Sequence, residues 1–189
     1  DKKAVFNNLM HLINEESLKA SYQQLRKECA VGMDGISWKE YGERLNENIK
    51  GLVGRIEKMS YRPQAVRRVY IPKDNGAQRP LGIPAIEDKI VQKAMSWVME
   101  AIYEQDFHED SYGFRVEKSS HQALKRINDL IMTKPINHVI EADIKGFFDN
   151  VEHAKLVEWL QVRIKDERFV RYVVRFLKAG YFEKGAFKK

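Results

Sequence analysis

The sequence predicts an α+β fold, mostly helical, and three observations carry that expectation. Apolar residues recur at three-to-four spacing along most of the chain, two β-rich runs flank an Asp-Asn-Gly turn, and a short apolar run contains an aspartate near its end. The first ~28 residues read as helix, with Val5, Phe6, Leu9, Leu12 and Ile13 followed by Leu18, Tyr22 and Leu25. Gly32 and Gly35 interrupt it. Ser37 opens a second helix, and Glu40 three residues later completes a capping box. Trp38, Tyr41, Leu45, Ile49, Leu52, Val53 and Ile56 form its single apolar stripe, which Tyr61-Arg62-Pro63 ends. Residues 66–71 and 78–83 read as a hairpin turning at Asp74-Asn75-Gly76. An amphipathic helix over 86–104 follows, then a helix over about 120–132 after a loop containing Gly113. Residues 138–144 read as a buried strand that delivers Asp143 to its end. Helices over about 152–164 and 167–178 complete the chain, with Gly180 a stop for the second.

The 189 residues are 43% hydrophobic, enough to bury a core and to exclude disorder throughout. One cysteine, Cys29, excludes an internal disulfide framework and a Cys-rich zinc site. No apolar run approaches ~20 residues and no signal-peptide pattern opens the chain. The expected location is therefore cytoplasmic, a bacterial or organellar interior, with no membrane partner and no secretion. Asp1 in place of Met and the basic run 184–189 read as fragment boundaries. The net charge of +6 is concentrated: 55–79 carries +5 and 161–189 carries +6. Such blocks suit a phosphate-facing surface, and they equally suit solvated faces.

Two segments carry candidate chemistry. In 139–150, Asp143 is placed to hold Mg²⁺, since a carboxylate at a strand end has fixed oxygens and open space for phosphate. A two-metal phosphoryl transfer needs further carboxylates, and Asp149 reads as a helix cap rather than a second ligand. In 67–84, Lys73 and Arg79 flank the turn, so a ribbon would bring both cations to one end. That suits a triphosphate clamp, with Arg as fork and Lys as point charge, and it equally suits a solubilising hairpin.

Together these residues resemble the amino-terminal region of group II intron-encoded reverse transcriptases and maturases. Gly32-Met33-Asp34-Gly35 is similar to the Gly-x-Asp-Gly element before that family's first fingers block. Tyr61-Arg62-Pro63 through Arg79-Pro80-Leu81-Gly82-Ile83-Pro84, with Asp88-Lys89 and Gln92, is similar to the block itself. Tyr112-Gly113-Phe114-Arg115 with Ser119 and His121-Gln122-Ala123 is similar to the next, and Ala142-Asp143-Ile144-Lys145-Gly146-Phe147-Phe148-Asp149 to the first palm motif. The four pieces stand in the family's order across nearly the whole chain.

The resemblance implies a right-hand polymerase architecture, truncated: a helical extension over 1–36, fingers over 37–135 and a partial palm over 136–189. It implies Asp143 as the first metal-binding aspartate, helped by the Ile144 carbonyl, and Phe148 as the aromatic gate under the sugar. Phe147 reads as core. Lys73 and Arg79 would hold the triphosphate, with Arg67 a third candidate. The implied partners are group II intron RNA, an RNA template with DNA primer and a deoxynucleoside triphosphate, with two Mg²⁺ ions in the complete enzyme. Exposed apolar faces make a homodimer a further candidate. From charge, Lys19, Arg26, Lys27, Arg163, Lys165, Arg168, Arg171 and Arg175 are the RNA-contact candidates.

The family's Tyr/Phe-Ala-Asp-Asp hairpin and Pro-Gln-Gly element do not occur in this sequence. A chain that binds RNA but does not polymerise unaided is therefore expected. One competing reading is a non-catalytic RNA-binding splicing module. Another is a metal-dependent nuclease or transposase fragment using Glu141 and Asp143, which would share a face of a regular strand.

Overall fold

The computed structural model describes residues 3–72, 74 and 76–188. Helices α1 (Glu15–Gln24), α2 (Trp38–Glu43) and α3 (Leu45–Glu57) precede the hairpin β1 (Val66–Pro72) and β2 (Gln78–Ile83). Helices α4 (Ile86–Tyr103), α5 (Ser120–Thr133), α6 (His153–Arg163) and α7 (Glu167–Leu177) follow, and β3 (Tyr181–Glu183) and β4 (Ala186–Lys188) end the chain. The mixed α+β class is as the sequence predicts.

Local chemistry sets most of the helix starts. Asn14 caps α1 in a reciprocal box with Ser17, Ser37 caps α2 with Glu40, and Ser119 caps α5 with Gln122. Each pair satisfies two backbone N–H groups that the first turn leaves without helical partners. The expected hairpin forms, paired from Arg67 opposite Ile83 to Pro72 opposite Gln78.

Five expectations are corrected. The first helix does not run from the amino terminus: Phe6 is extended and bridges Ile164, with Phe6 N–H donating to the Arg163 carbonyl at 2.8 Å. Among the described residues only a 3-10 turn at Met10–Leu12 precedes α1. The stripe from Trp38 to Ile56 belongs to two helices, because Arg44 leaves helical geometry at φ −125° and ψ 41°. Residues 138–144 form no strand and are exposed throughout. A strand exists only where a neighbour takes its N–H and C=O groups, and no described residue does so here. Asp149 is not a cap: it lies in a 3-10 turn, Phe148–Asn150, and α6 starts at His153 with Glu152 at its N-cap, making no side-chain cap bond. Finally, 181–188 is a hairpin whose β3 pairs parallel with β1, giving a four-stranded sheet in the order β2-β1-β3-β4.

One core joins helices α1, α3, α4 and α7. Leu18 and Tyr22 of α1, Ile49, Leu52 and Ile56 of α3, Ile86, Ile90 and Val91 of α4, and Phe169, Val170 and Tyr172 of α7 are buried together. Asp166 ties the two chain ends across it. Its Oδ2 accepts from Leu9 N–H at 2.6 Å and Met10 N–H at 3.0 Å, while its Oδ1 accepts from Arg168 and Phe169 N–H at the start of α7. Burial pushes the Asp166 pKa up, but these four backbone donors outweigh it and hold the carboxyl below its ordinary value. Helix α5 stands apart: none of its residues is buried, and Leu124, Ile127, Ile131 and Met132 are exposed.

Candidate nucleotide and nucleic-acid interface

The ribbon β1–β2 carries the cation candidates, and the structure separates them. Arg79 is exposed and lies opposite Ile71, near the turn. Lys73 lies outside the described residues. Arg67 sits at the other end, opposite Ile83. Four residues of strand put it roughly 13 Å from Arg79 along the ribbon. Its Nε and Nη2 both donate to the Val31 carbonyl, at 3.1 and 2.8 Å. Arg67, the third candidate for the triphosphate, therefore stands at the base of the ribbon and is already engaged by backbone.

The next arginine, Arg68, lies with its guanidinium carbon 3.6 Å from the centre of the Tyr181 ring. The Tyr70 hydroxyl donates to Glu183, and Lys188 pairs with the same carboxylate. Lys188 and then Tyr70 hold the Glu183 carboxyl below its ordinary pKa. The ribbon is thus braced from one side by the carboxy-terminal hairpin, an arrangement the sequence reading missed. Its signal was the turn Glu183-Lys184-Gly185 between Tyr181-Phe182 and Ala186-Phe187, the pattern of a second, shorter hairpin.

Asp143 and Ile144 lie on the exposed segment before a tight turn. Gly146 takes φ +64°, and the Asn150 side-chain amide donates to its carbonyl at 2.7 Å. This turn presents Phe148, which is 86% exposed. Its ring meets that of Phe147 edge-on at 5.4 Å. Phe147 is corrected from a core residue to a half-exposed one, 51% accessible. The two rings join Ile144, Leu156 and Trp159 around an open cleft of about 560 Å³. Among the described residues no three His, Cys, Asp or Glu side chains come together to hold a metal ion. Asp143 therefore offers one carboxylate, and the residues present do not make a two-metal site. The shared strand face proposed for Glu141 and Asp143 has no strand beneath it.

The RNA-contact candidates divide. Arg163 is 6% exposed, donates from Nε to the Ala4 carbonyl at 2.7 Å and pairs with Asp106; it is corrected from a surface contact to an internal tie. Arg168 donates to the Glu57 carbonyl at 2.8 Å. Arg175 donates to Tyr61 and Met59 carbonyls at 2.9 and 3.0 Å. Arg168 thus satisfies the last carbonyl of α3, where a cation is favoured, and Arg175 two carbonyls of the segment that follows it. Lys165, Arg171, Arg26 and Lys27 are exposed, Lys27 with its ammonium 5.7 Å from the Trp38 ring centre. Lys19 is half-exposed and pairs with Glu15 at 3.7 Å. In the loop before α5, Arg115 binds Glu104 at 2.6 Å and the carbonyls of His108 and Ser111 at 2.8 Å, so this arginine holds the loop together.

Comparison with known proteins gives the frame for this geometry. Residues 71–188 match the family model described as reverse transcriptase (RNA-dependent DNA polymerase). The chain is 42% identical to protein YkfC of Escherichia coli (strain K12) over 161 residues, 83% of this chain and 42% of that protein. It is 36% identical to the group II intron-encoded protein LtrA of Lactococcus lactis subsp. cremoris over 187 residues, 98% of this chain and 31% of LtrA. It is 32% identical to an uncharacterized 91 kDa protein in the cob intron of Schizosaccharomyces pombe, over 94% of this chain and 22% of that protein. The chain thus spans less than half the length of these curated relatives. With the motifs in order and a family match across both the ribbon and the Asp143 turn, the chain belongs to the reverse transcriptase (RNA-dependent DNA polymerase) family, in its group II intron branch.

Proposed function

We propose that this chain is the RNA-gripping and nucleotide-facing part of a group II intron reverse transcriptase and maturase: an amino-terminal extension over 1–36, fingers over 37–135 and the first part of a palm over 136–189. The observation that carries this reading is that one reverse-transcriptase match runs from Ile71 in the ribbon to Lys188, and so includes both Arg79 and Asp143. In the right-hand architecture, Arg79 and Lys73 hold the incoming triphosphate, and Asp143 with the Ile144 carbonyl supplies one set of oxygens for Mg²⁺. Phe148 lies under the sugar and rejects a 2′-hydroxyl by volume. The exposed cations Lys165, Arg171, Arg26 and Lys27 meet intron RNA through phosphate and shape.

With no group of three metal-ligating side chains among the described residues, we infer that residues 1–189 alone bind RNA without polymerising. This makes the splicing-module reading and the polymerase reading two activities of one protein. Among the described residues no helix is long and apolar enough to cross a membrane. We place the protein's work in a bacterial or organellar interior. The exposed apolar residues of α5 and of the Phe148 cleft support self-association of the isolated chain, which light scattering tests.

The functional test is binding to a structured group II intron RNA and to a scrambled RNA of equal length across a salt series. Preference for the intron RNA that persists as salt rises supports the reading. Equal binding that vanishes with salt overturns it, leaving only electrostatic attraction.

A further inference from the structure

Three consecutive residues of the loop between α1 and α2 are gripped from three directions. From β1, Arg67 forks onto the Val31 carbonyl through Nε at 3.1 Å and Nη2 at 2.8 Å. From α4, the Lys89 ammonium donates to the Ala30 carbonyl. From the start of α4, Ala85 packs so closely that a Cβ on the buried Gly32 would lie 2.5 Å from Ala85 N and Cα. Beyond the grip the chain turns on itself: Asp34 Oδ1 accepts from Ile36 N–H at 3.2 Å, and Gly35 takes φ +69°. Met33 and Ile36 are left exposed at 39% and 40%.

None of these carbonyls belongs to a helix or strand, so without the cations the loop would sample many conformations. A charge-assisted fork restricts direction as well as distance. Because Arg67 stands on the strand that continues to the ribbon tip, its bonds join the loop and the ribbon mechanically.

We propose that Arg67 and Lys89 are positioning residues, which lock the 30–36 loop to the ribbon and to α4 so that loop and ribbon act as one unit, and that Arg67 does not touch the triphosphate. The proposal deepens the reading of the ribbon tip as a triphosphate clamp and rests on it only in its last clause.

The chain supplies its own reporter. Cys29 is its one cysteine, half-buried against the core beside the grip. The 189-residue chain and its Arg67→Met, Arg67→Lys, Lys89→Met, Gly32→Ala and Arg79→Met variants are compared by Cys29 modification rate with an aromatic disulfide reagent. Binding of inorganic tripolyphosphate and circular dichroism complete the set. Arg67→Met, Lys89→Met and Gly32→Ala are expected to speed modification about tenfold with secondary structure retained, because local opening exposes the thiol. Arg67→Lys restores the rate to within about threefold of the parent, since an ammonium still reaches one carbonyl. Tripolyphosphate affinity of Arg67→Met stays within about twofold of the parent, while Arg79→Met weakens it about tenfold.

A parent-like thiol rate in Arg67→Met overturns the proposal, and so does a loss of tripolyphosphate binding as large as that of Arg79→Met. Should Arg67→Met not fold, Lys89→Met and Gly32→Ala decide the thiol arm. A parent chain that does not bind tripolyphosphate defeats the clamp reading alone, and the thiol rates still decide the positioning of the loop.

Discussion

Asp88, on the first turn of α4, accepts hydrogen bonds from the Tyr61 hydroxyl and from Gln64 N–H at 2.9 Å while only 2% exposed. This one carboxylate joins the entry to the ribbon to the central helix. Burial pushes its pKa up to about 6, more than the Tyr61 and Gln64 bonds pull it down. Burial likewise pushes the Tyr61 phenol up, so it stays a neutral donor across the accessible range.

The sign of the pH dependence follows. The native state holds a proton on Asp88 between the ordinary carboxylate pKa and about 6, where the unfolded state has released it. The Asp88 contribution therefore favours the fold most at acidic pH, falls as pH rises through this window and is flat above it. Urea unfolding from pH 4.5 to 7.5 should show this component in the parent and lose it in Asp88→Asn. An unchanged slope in Asp88→Asn refutes the assignment.

Asp166 caps α7 and holds the 3-10 turn at Met10–Leu12 through the same carboxylate. Asp166→Ala leaves four N–H groups without their acceptor and should cost about 3 kcal/mol, more than a simple helix cap. Chemical denaturation measures it, and a loss below about 1 kcal/mol means water replaces the carboxylate.

Arg163 and Arg171 are both arginines of the second basic block but differ in burial, Arg163 being 6% exposed and Arg171 lying on the surface. Arg163→Met should destabilise by roughly 3 kcal/mol, because Asp106 loses its ion-pair partner and the Ala4 carbonyl its donor. Arg171→Ala should leave stability within about 0.5 kcal/mol and lower the salt slope of RNA binding by about one. Salt-dependent binding of both variants, with melting curves, separates a structural cation from a phosphate contact.

Asp143 and Phe148 make no contact on which the core depends, and both are exposed. Asp143→Asn and Phe148→Ala should each change the stability of this chain by less than about 0.5 kcal/mol. In a full-length reverse transcriptase bearing the same turn, Asp143→Asn should abolish primer extension, and Phe148→Ala should admit ribonucleotides. Primer extension with each nucleotide class checks both.

Gly180 reaches φ +70°, and a Cβ there would lie 2.6 Å from the Lys188 carbonyl oxygen. Gly180→Ala should detach the β3–β4 hairpin from β1 at a cost of about 2 kcal/mol. Loss of amide protection at Val66, whose N–H donates to the Gly180 carbonyl at 3.0 Å, reports the detachment.

Local features were legible in the residues alone. Ser37 with Glu40, the hairpin β1–β2 (whose turn residue Asn75 lies outside the described residues) and the stripe of α4 each place partners within a few residues, so their pattern is visible without a fold. The order of the family motifs was legible for the same reason. Tertiary structure decided everything that needs a distant partner. Val66 pairs with Tyr181, Leu9 finds Asp166, and Arg67 turns to Val31 rather than to the ribbon tip. Burial, not charge count, divided Arg163 from Arg171. Residues 138–144 have strand composition but no neighbour among the described residues to complete their hydrogen bonds, and so they lie exposed outside any strand. A β-strand is a property of a pair, and one sequence segment specifies only half of it.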